Sequence, residues 1–172
     1  MKKLFIAAFA LLAINTAFAQ QPEATTEKDG TKILKGFIPM NDLRTDPSFA
    51  WFAENQKGYT PDPSTVQSFK SYKDSVYILA FGGTWCGDTK HILPQVAATM
   101  DAAGFPQDHF TLVGVDRSKK TIQHLSESFG ITNVPTFIVL KNGKEIGRVV
   151  EYGKMGMPER EIGQILDATF KK

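Results

Sequence analysis

Residues 76–81 read Val-Tyr-Ile-Leu-Ala-Phe, an unbroken apolar run. A strand with one wet face alternates between apolar and polar residues, whereas one buried on both faces does not. The run therefore predicts a central strand with cover on both sides. Gly82 and Gly83 end it, and Trp85-Cys86 leads directly into a helical pattern. Ile92, Leu93, Val96 and Met100 recur on one side of that helix, which Gly104 is expected to stop. Pro94 falls inside it and is expected to kink it, because proline lacks a backbone donor. Residues 110–115 make a second buried strand ending at Asp116-Arg117, and Ile122, Leu125 and Phe129 mark a short helix closing at Gly130. Residues 136–140 and 145–150 flank Asn142-Gly143, a strong hairpin signal. Pro158 opens a last helix with Ile162, Ile165, Leu166 and Phe170 turned inward. This order predicts an α/β domain over residues 76–172, its mixed central sheet covered by helices on both faces.

Three segments precede that domain. Residues 1–19 read as a signal peptide: Lys2 and Lys3, an apolar stretch over 4–14, then Ala17-Phe18-Ala19 as a cleavage site. The stretch is shorter than the ~20 residues a bilayer span needs, so no membrane span is expected after cleavage. A periplasmic or secreted location follows. Residues 20–30 are polar and are expected to form a flexible leader. Residues 31–75 form an N-terminal extension, with a short strand around Ile33-Leu34 and Phe37-Ile38. Asp46-Pro47 and Asp62-Pro63 each pair a helix-capping side chain with a proline suited to the first helical position. Phe49, Phe52 and Ala53 follow the first at helical spacing, and Val66, Phe69 and Tyr72 follow the second.

Charge and ligand chemistry narrow the function classes. The chain has 20 basic and 18 acidic residues, and Lys2 and Lys3 supply the difference. Nucleic-acid binding needs clustered cations, so no nucleic-acid partner is expected. His91, His109 and His124 are dispersed, no phosphate-binding glycine loop is present, and neither metal nor cofactor is expected. Cys86 is the single cysteine. A lone thiol in an exported chain points to reactivity or to an intermolecular link.

Trp85-Cys86-Gly87 stands at a strand-to-helix junction, and Pro94 follows eight positions after the cysteine. The segment 130–136, Gly-Ile-Thr-Asn-Val-Pro-Thr, precedes a strand and Lys141-Asn142-Gly143. On these motifs the chain from residue 76 onward resembles the thioredoxin family. The resemblance implies a thioredoxin-like fold, a nucleophile at Cys86, a cis-proline at Pro135, and a peptide groove formed with Trp85 and Val134. Gly87, Asp88 and Lys90 are implied as secondary site residues. The departures are equally specific. Thr89 replaces the resolving cysteine, Asp88 replaces the usual intervening proline, and Ala80 stands where many members bury an aspartate. Gly82-Gly83 replaces a bulkier pair, and the family's glycine after the last strand falls nearest Glu151 or Gly153.

The thiolate attacks disulfides, and a helix start favours it over the thiol. Thr89, one turn on, is expected to reach the sulfur with its hydroxyl. After attack, a single sulfur leaves a mixed disulfide that needs an outside thiol. The expected partners are protein or small-molecule thiols and disulfides, with an external resolving thiol or redox partner. The leading expectation is monothiol thiol–disulfide exchange of the reductase or isomerase type. The alternative is a catalytically inactive thioredoxin-fold module that holds a partner through its groove or N-terminal helices. A Cys86-linked dimer is a third expectation.

Overall fold

The structure, a computed structural model, describes residues 21–170. The signal-like residues 1–19 lie outside the described residues. In chain order the elements are β1 (Glu23–Thr26), β2 (Lys32–Ile38), α1 (Met40–Thr45), α2 (Trp51–Gln56), α3 (Pro63–Tyr72) and β3 (Tyr77–Gly82). They continue with α4 (Gly87–Ala103), β4 (Phe110–Gly114), α5 (Leu125–Ser128), β5 (Thr136–Lys141), β6 (Lys144–Val150) and α6 (Pro158–Phe170). The strands form one six-stranded sheet in the order β1-β2-β4-β3-β5-β6. β3 and β4 run parallel, while β3–β5, β5–β6, β2–β4 and β1–β2 are antiparallel.

The apolar run becomes the middle of that sheet because its side chains are needed on both faces. Ile78 and Ala80 enter a large core with Leu112, Phe137 and Val139. Phe81 enters a second core with Val113, Ile138 and Val134. Alternate strand residues point to opposite faces, so Ile78 to Phe81 fill two cores at once, while Tyr77 at the start of the strand stays exposed. Helices α2, α3, α4 and α6 pack with one another and line the first core. Leu125 of α5 and Phe129 cover the second.

Helix ends follow local chemistry. Asp46 accepts from the Ser48 amide at 2.8 Å, and Asp62 accepts from the Thr65 amide at 2.9 Å, each just before a proline. α4 ends at Gly104, whose left-handed φ of 60° is costly for residues with a Cβ. Asn142 and Gly143 both take positive φ and close the β5–β6 hairpin.

Two features differ from the sequence expectation. Part of the segment expected to be a flexible leader is strand β1, whose residues pair with β2 from Glu23↔Lys35 to Thr26↔Lys32. All four of its residues are exposed. It is held by backbone pairing and by the Lys35–Glu23 ion pair rather than by an apolar face, so no period-two signal marks it. The second is α1, a six-residue helix that buries only Leu43. The extension over 31–75 also shares the domain's core. Leu34, Ile38, Leu43, Phe49, Phe52 and Phe69 lie in one cluster with Ile92, Leu93 and Val96 of α4.

Candidate active site

β3 delivers the chain to the sheet's centre, and the tight turn at residues 83–86 aims it into α4. The Cys86 amide donates to the Gly83 carbonyl at 2.8 Å, and the Lys90 amide donates to the Cys86 carbonyl at 3.0 Å. Cys86 is thus the N-cap of a seventeen-residue helix and remains partly exposed. Free amides and the helix dipole at such an end favour negative charge. The Cys86 thiol donates to the Val134 carbonyl at 3.3 Å. The Val134–Pro135 bond is cis. Cys86 therefore lies beside the Val134–Pro135 bond, although they are far apart in sequence. Gly87 is exposed, and a Cβ built there meets nothing within 4 Å, leaving room beside the sulfur. Asp88 and Lys90 are half-buried on the first turn of α4.

Thr89 departs from its expected role. It is 2% exposed, and its Oγ1 accepts the Gly83 amide at 3.2 Å. Its hydrogen-bond partner among the described residues is that amide and not the Cys86 sulfur. The physical reason is local: the Gly83 amide is buried, and an unpaired buried donor costs about 1–3 kcal/mol. The Thr89 hydroxyl relieves that cost.

Trp85 lies across Gly83. A Cβ at Gly83 would stand 2.7 Å from the indole Cε2, so only glycine lets the ring settle there. The indole Nε1 donates to the Val115 carbonyl at 2.9 Å, and the Arg117 guanidinium stands over the ring at 5.2 Å. Arg117 is held by a two-point pair to Glu27, at 2.7 and 2.6 Å. The Thr84 hydroxyl donates to the Lys32 carbonyl at 2.8 Å and accepts the Leu34 amide at 3.1 Å. The N-terminal strands therefore brace the active-site turn directly. Arg117 follows β4 at the carboxyl edge of the parallel strands, the edge at which such sheets carry their sites.

Tyr152 was missed altogether. The Glu151 amide donates to the Pro135 carbonyl at 2.7 Å, and Asn133 Nδ2 donates to Glu151 Oε1 at 2.9 Å. Glu151 and Gly153 both adopt positive φ, 51° and 62°. Between them Tyr152 reaches the first turns of α4, its ring 6.2 Å from that of His91. Partial desolvation, and then the Asp88 carboxylate, hold its phenol above the ordinary tyrosine value. No periodicity marks a single aromatic residue in a turn.

Among the described residues no group of three or more His, Cys, Asp or Glu side chains is placed to hold a metal ion. Nor is any helix among them long and apolar enough to cross a membrane.

The chain matches the family described as Thioredoxin over residues 63–162, beginning ahead of the position where the sequence resemblance starts. It is 27% identical to thioredoxin-2 of Pyricularia oryzae over 139 residues, covering 66% of this chain and 77% of that protein. It is 34% identical to a thioredoxin of Echinococcus granulosus over 86 residues, covering 50% of this chain and 75% of the other. A solved protein of unknown function from Pseudomonas aeruginosa superposes with a TM-score of 0.51 at 14% identity, over 70% of this chain and 84% of that one. This last likeness is one of fold.

Proposed function

The chain belongs to the thioredoxin family, and from that premise we propose that it exchanges thiols and disulfides through the single sulfur of Cys86. The observation that carries the reading is the position of that sulfur, at the N-cap of α4 and 3.3 Å from the Val134 carbonyl. The Cys86 thiolate attacks one sulfur of a substrate disulfide. A Cys86–substrate disulfide forms, and the other substrate sulfur leaves as a thiolate. No second cysteine exists in the chain to release the product. An external thiolate must attack the mixed disulfide and restore Cys86. If that thiolate is a third cysteine of the substrate, a different substrate disulfide forms and the result is isomerisation, whereas the departing sulfur only re-forms the original bond. If it belongs to a small thiol or a redox protein, the substrate sulfur passes to that thiol, and a second thiolate completes the reduction as the two outside thiols join in a disulfide.

In this reading Trp85, Val134 and Pro135 border the incoming peptide, Gly87 leaves it space, and Asp88 and Lys90 set the local charge. Thr89 holds the Gly83 turn that seats Trp85. Residues 1–19 serve as a cleaved export signal, which places the mature chain in a periplasm or outside the cell. A Cys86-linked dimer is an off-cycle product of the same exposed thiol.

The test is trapping with a symmetric disulfide of a peptide that has one cysteine. Once the released peptide thiol is removed by desalting, the wild-type mixed disulfide persists until a free thiol is added, and Cys86→Ser forms none. Release from the desalted adduct without added thiol refutes the monothiol cycle. Partner capture that is unchanged in Cys86→Ser supports the inactive binding module instead.

A further inference from the structure

Among the described residues, five large hydrophobic side chains are exposed: Phe37, Tyr77, Val150, Tyr152 and Met155. Three of them fall within the six residues 150–155, which leave β6 alongside the Pro135 turn. That stretch is fixed at both ends. The Glu151 amide binds the Pro135 carbonyl at 2.7 Å, and Glu161 at the start of α6 accepts the Met155 amide at 2.6 Å and the Lys154 amide. Tyr152, a residue 41% exposed, therefore stands on a loop that needs little further ordering. Ordering a mobile loop on binding costs affinity, and a pre-set one avoids most of that cost.

The other aromatic ring at the site is already engaged. Trp85 has Arg117 over its ring at 5.2 Å and its Nε1 committed to Val115. Tyr152 is flanked by His91 at 6.2 Å and still keeps two-fifths of its surface exposed. Gly87, the residue after the cysteine, has open space where a side chain would stand. An exposed tyrosine on a rigid loop is the kind of side chain that anchors a partner, since it buries a large area at small entropic cost.

We propose that Tyr152 determines specificity in the exchange reaction, favouring disulfides whose cysteine is flanked by a large apolar or aromatic residue. The inference rests on the exchange reading of Cys86 and adds the class of peptide preferred.

The test uses two symmetric peptide disulfides, one with phenylalanine on both sides of its cysteine and one with serine, together with hydroxyethyl disulfide as a small probe. Attack on either peptide joins one copy to Cys86 and releases the other as a thiol, which mass spectrometry counts. Wild-type protein is expected to react faster with the phenylalanine peptide by roughly two- to tenfold, the range one aromatic pair supplies. Tyr152→Ala is expected to bring the two peptide rates to parity, each taken relative to the same protein's rate with hydroxyethyl disulfide, and Tyr152→Phe to keep the preference. Equal rates for the two peptides in wild type, or a preference that survives Tyr152→Ala, overturn the inference and leave the exchange reading standing. No adduct from any of the three disulfides removes the exchange reading and this inference with it.

Discussion

Gly83→Ala isolates the contact that seats Trp85 at the active-site turn. Gly83 does not use a backbone conformation reserved for glycine, since it is absent from the positive-φ glycines among the described residues. Alanine is therefore acceptable to the backbone, and in open space it would stabilise by about 0.4–1 kcal/mol through the unfolded chain. The new Cβ instead meets indole atoms at 2.7 and 2.8 Å. If the ring stays, the crowding costs about 1–3 kcal/mol. If the ring moves, it forfeits the hydrogen bond to Val115, about 0.5–1.5 kcal/mol. It then also loses the Arg117 contact, about 0.5–1 kcal/mol at an exposed site. Either route costs about 1–3 kcal/mol, so a net loss of about 1–2 kcal/mol is expected after the entropic gain. Urea unfolding followed by far-ultraviolet circular dichroism measures it without relying on indole emission. Emission from Trp85, resolved in a Trp51→Phe background, reports the ring's displacement. A variant as stable as wild type, with unchanged Trp85 emission, would refute the steric argument and with it the account of Trp85 placement.

Thr89→Val keeps the side chain's shape but strands the buried Gly83 amide. It is expected to lower stability by about 1–3 kcal/mol, while Thr89→Ser loses less and hydroxyethyl disulfide reacts with Cys86 at a similar rate in all three proteins. A large rate loss in Thr89→Val with stability intact would restore the hydroxyl to the sulfur's service. Stability is also expected to fall in acid. Asp46 is held to about 2 chiefly by Lys32, Asp62 to about 2 chiefly by Ser64, and Glu127 to about 2 chiefly by Lys120. Each carboxylate binds its proton more tightly in the unfolded chain, so its contribution is present above its unfolded pKa of about 4. That contribution is lost as pH falls towards 2. Urea midpoints measured from pH 6 to pH 2 should decline across this window, and less steeply in a protein carrying Asp46→Asn, Asp62→Asn and Glu127→Gln. Equal slopes would contradict the assignment.

The fold was legible wherever burial imposes a period. Residues 76–81 announced a two-faced strand, α4 announced its inward side, and Asn142-Gly143 announced the hairpin, because each pattern has one low-cost solution. β1 was illegible because a strand exposed on both faces and held by main-chain pairing leaves no trace in side-chain polarity. α1 was illegible because one buried side chain in six residues makes no repeat. Within the site, Cys86 and Pro135 were visible through a family pattern. Tyr152 and the Glu27–Arg117–Trp85 chain were not, since their proximity comes from tertiary folding between residues tens of positions apart.

The departures from the family pattern looked like separate losses in sequence and are joined in space. A Cβ at Gly82 would press on the Thr89 methyl at 3.0 Å, so a small residue at 82 makes room for threonine at 89. The Thr89 hydroxyl takes the Gly83 amide, and Gly83 in turn makes room for the Trp85 ring. Trp85 then carries Arg117, which Glu27 anchors from the turn after β1. Glycine at 82 and 83, threonine at 89 and tryptophan at 85 thus form one packing solution that runs from the turn before α4 out to the N-terminal strands. A residue that would ordinarily resolve a disulfide has become a structural support, and the cost of changing it falls on the turn that aims the sulfur. Thr89 therefore acts on stability through the Gly83 amide and makes no hydrogen bond of its own to the Cys86 sulfur.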